Sequence, residues 1–349
     1  MIRRNVKCKM LFFVTATLIM ASCGSKQGKV SYDELGESGL TTRTEYMRDN
    51  LKSGVADGTI IGQQYGTLQG VGWVGDSARS DISSICGDGP AAYGYELKGI
   101  EKGLPFNGDS IAFTDIRRDV LAHFRHGALI TMTWTPPADA NKEDSLRIYT
   151  DALAKFMESL QDEYGIKVPV VLFPYPMDSK SWYSKLPASD FITLYHHTVT
   201  KLKEAGVTNA VYGYATEKDL THCPIDDVDV VEWRHILPEV DSAHFDGLIA
   251  EQLIPIADFS NEHFKAFGVM TGIEGIGSTH FFSQQLLPLI SGRKVAYLMF
   301  GRNDGEVEER HFCVPYPGMN KEYVTDFIKF YNDKKTLFHH DLNGLYLKK

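Results

Sequence analysis

The sequence has few cysteines, and it has no apolar run long enough to cross a membrane. Five cysteines occur in 349 residues, and three of them, Cys86, Cys223 and Cys313, lie outside the N-terminal segment. Their number is odd and their spacing wide, which excludes a disulfide framework and a zinc motif. We therefore expect buried free thiols and no metal or other cofactor.

Positive charge is also scarce. The chain has 36 lysines and arginines against 45 aspartates and glutamates, a net charge of −9. Four of the basic residues and none of the acidic ones lie in residues 1–22, so the rest of the chain carries a net charge of −13. A surface this negative argues against nucleic acid as a partner.

The N-terminal segment has the pattern of a secretory signal. Basic residues precede the apolar run LFFVTATLIM, and MASCG follows, in which the small residue Ser22 directly precedes Cys23. The segment resembles bacterial lipoprotein signals, which implies removal of residues 1–22 and a lipid on Cys23. We expect a protein that a lipid anchors in the bacterial cell envelope, at the outer membrane. Both the periplasmic face and the cell-surface face of that membrane are consistent with the sequence. An uncleaved anchor is the alternative, but about 13 apolar residues are too few to span a bilayer.

The remaining chain divides into a linker and one domain. Residues 23–38 are small and polar and are typical of a linker. Residues 39–349 contain eight apolar or aromatic runs of strand length, at 59–65, 91–97, 128–134, 168–175, 209–215, 228–233, 267–273 and 295–300.

Segments of helical periodicity separate these runs, among them 113–124, 144–164, 188–206, 278–291 and 321–335. The third is predicted to begin at an N-cap, Ser189, and to end at Gly206. Strands that are apolar throughout and alternate with helices pair in parallel. Eight such units predict an α/β fold, a single-domain (β/α)8 TIM barrel.

The ends of these strands predict a carbohydrate site, because TIM barrels place function where the strands end and the following loops begin. Aromatic, amide and carboxylate residues dominate there, and cations are few. Such a lining suits a neutral sugar, whose ring faces stack on aromatic side chains while its hydroxyls take hydrogen bonds. Core packing is the competing interpretation for each aromatic residue taken alone.

Several segments from Leu51 to Tyr346 together resemble glycoside hydrolase family 26, the β-mannanases, and especially their lipoprotein members. In chain order they are IIGQQYGTLQGVGWVGDSARSDISSICGDGPAAYGYEL, RHGALITMTWTPP, VPVVLFPYPMDSKSWY, GVTNAVYGYATE, TGIEG, FGRNDG and HFCVPYPG.

The resemblance implies retaining hydrolysis of β-1,4-mannan by two glutamates, a nucleophile and an acid about 5 Å apart. Glu274 in TGIEG matches the nucleophile. Residues expected to contact the sugar, which would be a β-mannan or a related oligosaccharide, are Trp73, Trp134, Tyr175, Trp182, Trp233, Arg302 and Asn303.

The chain departs from the family pattern where the acid is expected. After strand four the family has Arg-Pro-(Phe/Tyr)-His-Glu, whereas here Phe173, Pro176 and Met177 replace the arginine, the histidine and the glutamate. A thioether cannot give a proton. Thr135 replaces a further histidine after strand three. On strand six, Arg234 and Ile236 take the places of an aspartate and a tyrosine.

Asp178, one residue beyond Met177, has two interpretations. It is a substitute acid, or it is a turn aspartate bonded to nearby backbone amides. Glu232 and Glu96 are the other carboxylates that could supply the proton. Glu232 and Trp233 are also possible sugar contacts, and Arg234 or His235 could pair with Glu274.

Three functions follow. The first is a catalytically impaired, mannan-binding lipoprotein of the family 26 type. The second is an active retaining glycosidase that uses Glu274 with Asp178 or another carboxylate. The third is a scaffold without affinity for sugar.

Overall fold

Eight parallel strands close into a barrel in the computed structural model, which describes residues 34–54, 58–75, 79–237, 242–273, 278–303 and 312–349. The barrel strands, in chain order, are β1 Thr59–Gln64, β2 Ala92–Glu96, β3 Leu129–Trp134, β4 Val170–Pro174, β5 Ala210–Thr216, β6 Val230–Leu237, β7 Ala266–Ile273 and β8 Tyr297–Phe300. Each pairs with its neighbour in sequence, and β8 pairs with β1 to complete the ring. The predicted (β/α)8 barrel and all eight predicted strands are confirmed.

Helices occupy the segments between the strands. They are α1 Thr42–Ser53, α2 Asp81–Cys86, α3 Phe113–Arg125, α4 Glu143–Ser159, α5 Ala188–Glu204, α6 Ser242–Leu248, α7 Ile254–Glu262, α8 Leu287–Ser291 and α9 Lys321–Tyr331. Short 3-10 turns at Ile100–Lys102, Ala138–Asn141 and Tyr183–Lys185 follow β2, β3 and β4. A two-strand hairpin, Gln69–Gly70 with Trp73–Val74, lies between β1 and α2, and Thr336–Leu337 adds a short strand beside β1.

The prediction of Ser189 as an N-cap is wrong. Helix α5 begins at Ala188, with Pro187 at the N-cap and no side-chain cap. The side chain of Ser189 lies in the first turn and bonds the carboxylate of Asp190 at 3.2 Å. Proline fixes φ near the helical value and so begins the helix one residue before the serine that sequence reasoning selected.

Three predicted helices are shorter or less regular than expected, and one of them, α9, ends at Tyr331 and not at residue 335. Helix α4 stops at Ser159, because Leu160 leaves the helical conformation, with φ −80° and ψ 68°. In the segment 278–291, a π-helical stretch at Phe281–Leu286 precedes α8. Pro288 lacks the amide hydrogen that a continuous helix would need, so a new helical segment begins beside it.

The described chain packs as one unit from its first described residues. Leu35 forms an isolated bridge with Thr41, and the Thr41 amide donates to Thr208 O at 2.8 Å. Thr208 precedes β5, so the chain enters the domain at the amino ends of the strands. The proposed signal peptide and Cys23 lie outside the described residues, as does most of the proposed linker. No helix in the described part is long and apolar enough to cross a membrane.

Two aromatic rings of the barrel strands lie against glycines of a neighbouring strand. A side chain on Gly213 in β5 would meet the ring of Phe173 from β4 at 2.2 Å. A side chain on Gly268 in β7 would likewise meet the ring of Tyr297 from β8 at 2.3 Å. Each glycine thus makes room for a large ring from the neighbouring strand.

Candidate functional site

The carboxyl ends of the eight strands form one mouth, because parallel strands in a closed barrel end at the same face. Glu96 ends β2, and Thr133 and Trp134 end β3. Arg234 lies in the second half of β6. The residues predicted to carry chemistry are brought together there, with the exception of Glu274, which lies outside the described residues.

The backbone after β4 changes partner at Tyr175. This residue has φ +56°, a left-handed conformation that is uncommon for a residue with a side chain. Its amide donates to Trp134 O on the β3 side at 3.0 Å, and the Met177 amide donates to Ala215 O on the β5 side at 2.7 Å. Met177 also forms an isolated parallel bridge with Thr216. The thioether therefore belongs to the barrel wall, with a residue exposure of 7%.

Asp178 lies in a tight turn immediately beyond Met177. Its Oδ1 accepts from the Lys180 amide at 2.6 Å and from the Ser181 amide at 2.8 Å. Its Oδ2 accepts from the Ser181 hydroxyl at 2.5 Å. Both carboxylate oxygens are thus engaged by donors of the aspartate's own turn, which is the second of the two arrangements considered for this residue.

A buried polar network lies inside the barrel below the mouth. Arg234 Nε donates to Glu232 Oε1 at 2.6 Å, and Tyr297 OH donates to Glu232 Oε2 at 2.6 Å. Arg234 Nη1 donates to the Thr133 hydroxyl at 2.9 Å, and the guanidinium carbon lies 5.1 Å from the ring centre of Phe173. The side chain of Glu232 is 2% exposed, so this carboxylate cannot reach a substrate.

Electrostatics in this network favour the charged guanidinium. Burial lowers the pKa of Arg234, but the neighbouring carboxylate of Glu232 outweighs burial, and the net effect is a raised pKa. Burial, followed by the negative charge of Glu232, raises the pKa of Tyr297, so its hydroxyl stays protonated and donates. Arg234 and Glu232 therefore form a fixed ion pair at the mouth.

Glu96 is the carboxyl group at the mouth with a strongly shifted pKa. Burial is the largest effect and raises its pKa to about 7. The hydrogen bond from the Lys98 amide and the positive charge of Arg234 lower the pKa but do not outweigh burial. Its Oε1 accepts from the amides of Leu97 and Lys98 and from the Thr135 hydroxyl at 3.0–3.3 Å. Its Oε2 has no hydrogen-bond partner in the described part of the chain, and the residue is partly exposed. A carboxyl group of this kind can accept or give a proton near neutral pH.

A second set of hydrogen bonds holds Glu96 in place. The Glu96 amide donates to the Tyr65 hydroxyl at 3.0 Å, and that hydroxyl donates to Asp109 at 2.9 Å. Asn107 donates to the same hydroxyl at 2.8 Å, and Asp109 forms an ion pair with Arg302. Sequence reasoning missed Tyr65, Asn107 and Asp109, because they lie in loops whose polar residues show no period and become neighbours only when the barrel closes.

Most of the predicted sugar contacts are buried. Trp134, Tyr175, Trp233 and Asn303 have at most 1% exposure, and Trp73 has 8%. Each polar atom of this group has a protein partner: Trp73 bonds Asp81, Trp134 bonds Glu101, Tyr175 bonds Thr198, Trp233 bonds Gln252 and Asn303 bonds Asp81. These side chains pack the structure around the mouth, and Trp182 and Arg302 are the two predicted contacts that keep accessible surface.

A cavity of about 760 Å³ opens beside this mouth. Its lining includes Thr135 and Pro136 after β3 and the segment from Asp178 to Tyr183 after β4. Trp182 lies in its wall, where its indole nitrogen donates to Pro136 O at 2.9 Å. Another cavity, of about 430 Å³, lies near Ala266 and Phe267 at the amino end of β7, away from the polar network.

The part of the chain that the structure describes contains no ligand set for a metal ion. No group of three or more histidines, cysteines, aspartates or glutamates there could hold an ion. Cys86 and Cys223 are free thiols, and Cys223 and Cys313 are buried. Burial raises the pKa of Cys223 to about 12, so this thiol is not a nucleophile at neutral pH.

Comparison with solved structures places the fold among the family 26 glycoside hydrolases, although no protein-family model matches the chain. The family 26 β-mannanase of Bacteroides ovatus has a TM-score of 0.81 at 26% identity, over 88% of this chain and 98% of the other. A family 26 endo-β-1,4-mannanase from Bacillus sp. JAMB-750 has a TM-score of 0.77 at 18% identity, over 88% and 94%. A family 26 protein from Muricauda sp. MAR_2010_75 has a TM-score of 0.75 at 22% identity, over the same shares. The predicted resemblance is confirmed for the fold.

We expect Arg234→Met to destabilise the protein by about 3–5 kcal/mol, because it leaves the carboxylate of Glu232 buried without its partner. The double variant Glu232→Gln/Arg234→Met should recover most of this loss. Denaturant unfolding measures both, with Arg125→Met as the control, since Arg125 pairs with Glu163 on the surface and should cost less than about 1 kcal/mol. Equal losses in Arg234→Met and Arg125→Met would contradict the buried ion pair.

Proposed function

We propose that this protein binds a β-mannan or a related oligosaccharide in the mouth of its barrel, and that ordinary mannanase catalysis is impaired. Three observations support the binding: the fold shared with family 26 mannanases, the cavity of about 760 Å³ at the mouth, and the partly exposed indole of Trp182 in its wall. Aromatic walls with a few polar groups suit the two kinds of surface that a sugar presents.

The main support for the proposed impairment is that Met177 occupies the position expected for the catalytic acid. A retaining glycosidase needs a proton donor about 5–5.5 Å from its nucleophile. The family resemblance expects that donor directly after β4. Met177 occupies this position, and backbone pairing with β5 fixes it in the barrel wall. A thioether has no proton to give.

Asp178 is a poor substitute for the missing acid. Its two oxygens already accept three hydrogen bonds within residues 178–181, and a carboxylate displaced by about 1 Å from the productive geometry can cost about a hundredfold in rate. Glu274 stays the proposed nucleophile on the family resemblance, directly after the last residue of β7. Without a matched acid it would attack only substrates that carry a very good leaving group.

A second candidate function is an active retaining glycosidase with another acid. Glu96 favours it, because one oxygen of this carboxyl group has no partner among the described residues and its pKa is raised to about 7. Such a group could protonate a leaving oxygen and later activate water.

Binding without cleavage is the expected result for the wild-type protein. Mannohexaose should change the tryptophan fluorescence, and β-mannan should release no reducing sugar. Trp182→Ala should weaken binding about 10-fold, which corresponds to about 1.4 kcal/mol, through the loss of stacking. Tyr164→Ala is the matched control, since Tyr164 is 81% exposed in the loop before β4, at the other end of the barrel.

Release of reducing sugar that Glu274→Ala abolishes would overturn the impairment. Loss of that release in Glu96→Gln as well, with binding retained, would establish the second candidate. If the protein showed neither binding nor turnover, only the third function, a scaffold without affinity for sugar, would remain.

The lipid anchor on Cys23 is part of the proposal. The described chain enters the domain at the amino ends of the strands, opposite the mouth. We expect the wild-type protein in the membrane fraction of a bacterial host and Cys23→Ser in the soluble fraction. Equal membrane association of the two would refute lipidation at this residue.

A further inference from the structure

We propose that the mouth of the barrel accepts an acidic oligosaccharide, with Arg234 binding the carboxylate of a uronate residue. This inference rests on the proposed glycan binding and specifies the class of sugar. The ligand that fits both the shared fold and this mouth is a chain of β-1,4-linked mannuronate, which keeps the backbone of mannan and carries a carboxylate on each ring.

Within the part of the chain that the structure describes, Arg234 has one edge of its guanidinium free for a ligand. Nε is taken by Glu232 and Nη1 by Thr133, while Nη2 has no partner within the described residues. The side chain is 20% exposed. It points inward from β6, as its bond to Thr133 on β3 shows, so the exposed part faces the mouth. Arginine recognises carboxylates through such N–H groups.

The guanidinium is also held rigidly before any ligand arrives. Glu232 and Thr133 fix two of its nitrogens, and the ring of Phe173 supports its face at 5.1 Å. A donor whose geometry is fixed in advance loses less entropy on binding. The ion pair with Glu232 keeps the interior neutral overall, and the free N–H groups still carry part of the positive charge.

The wall formed by β4 offers no negative charge that would compete for Arg234. Phe173, Pro176 and Met177 stand there, at three positions where the family resemblance expects an arginine, a histidine and a glutamate. Asp109, at the other side of Glu96, already forms an ion pair with Arg302. The replacement of the acid by Met177 thus removes the repulsion that a uronate would meet at this place.

Glu96 supplies a second contact for the same carboxylate. In the register of the sheet Glu96 is the neighbour of Thr133, the residue that Arg234 binds, so the two groups lie side by side. When protonated, Glu96 can donate a hydrogen bond from its free oxygen to a ligand carboxylate. When ionised it would repel that carboxylate.

Three lysines of the cavity extend the positive surface. Lys98, Lys102 and Lys180 line it, and none forms an ion pair in the described part of the chain. Two of the acidic residues in the same cavity are already engaged: Asp178 by its own turn and Glu101 by the Gly99 amide and Trp134. Glu217 lies 3.8 Å from His235. On a chain with a net charge of −9, these lysines place positive charge at the mouth.

The test compares two hexamers of equal length, mannohexaose and the β-1,4-linked mannuronate hexamer, by calorimetry at pH 6 and constant ionic strength. Wild-type protein should bind the mannuronate hexamer at least about 10-fold more tightly, since one hydrogen bond to a charged group contributes on this scale. Glu232→Gln/Arg234→Met, which keeps the interior neutral, should lose the preference. Arg118→Met, a matched change on the surface of α3, should keep it.

A pH series supplies a measurement that needs no substitution at Arg234. The pKa of Glu96 is about 7, so raising the pH from 6 to 8 ionises it and should weaken binding of the mannuronate hexamer, with little effect on mannohexaose. Glu96→Gln should remove this dependence. Among the described residues, the other charged or titratable groups around Glu96 are Arg234, Asp109, Lys98, Tyr65 and Tyr183, and Arg302 pairs with Asp109.

Equal affinity for the two hexamers, or tighter binding of mannohexaose, would overturn the inference and leave the proposed function intact. Failure to bind either hexamer would overturn both. A mannuronate preference that survives in the double variant, or that does not fall between pH 6 and pH 8, would also contradict the roles of Arg234 and Glu96.

Discussion

The ion pair between Arg234 and Glu232 is the constraint around which the mouth of this barrel is arranged. Both residues lie on β6, two positions apart, and therefore on the same face of the strand. Neither charge could be buried there alone at an acceptable cost. The pair is accommodated because Tyr297 donates to the second oxygen of Glu232, because Thr133 accepts from Nη1 of Arg234, and because Phe173 covers the guanidinium. Strands β3, β4, β6 and β8 are thus tied together at the level where a substrate would meet the barrel.

The fold could be predicted from the sequence because its signal is repeated. Strands buried on both faces are apolar throughout, and eight such runs alternate with helical segments, so an error at one boundary does not change the architecture. Local details carry less information. Pro187 begins α5 before Ser189, and Pro288 divides the segment before β8, in both cases through the backbone geometry of proline.

The site could be predicted only in part, for physical reasons that differ between residues. An aromatic side chain near a strand end has the same sequence signature whether it faces the mouth or the helix layer. Strict alternation would place Tyr175 on the side of Phe173, but its left-handed backbone directs the hydroxyl to Thr198 in α5. The pair Glu232 and Arg234 carried a usable signal, since two opposite charges at positions i and i+2 of a strand lie on the same face. No sequence signal marked the carboxyl group of Glu96, because its raised pKa depends on burial that only the assembled barrel creates.

These features describe a barrel with the fold of the family 26 mannanases, and we propose that its mouth holds a glycan without cleaving it. The proposed loss of the acid at Met177 and the gain of a guanidinium at Arg234 act in the same direction, since both reduce negative charge where the leaving oxygen would lie. The most direct test is a crystal structure of the wild-type protein after prolonged incubation with mannohexaose. We predict an intact oligosaccharide that lies across the mouth against Trp182. Cleaved products in the mouth, or a sugar bound elsewhere with the mouth empty, would contradict the proposed binding without turnover.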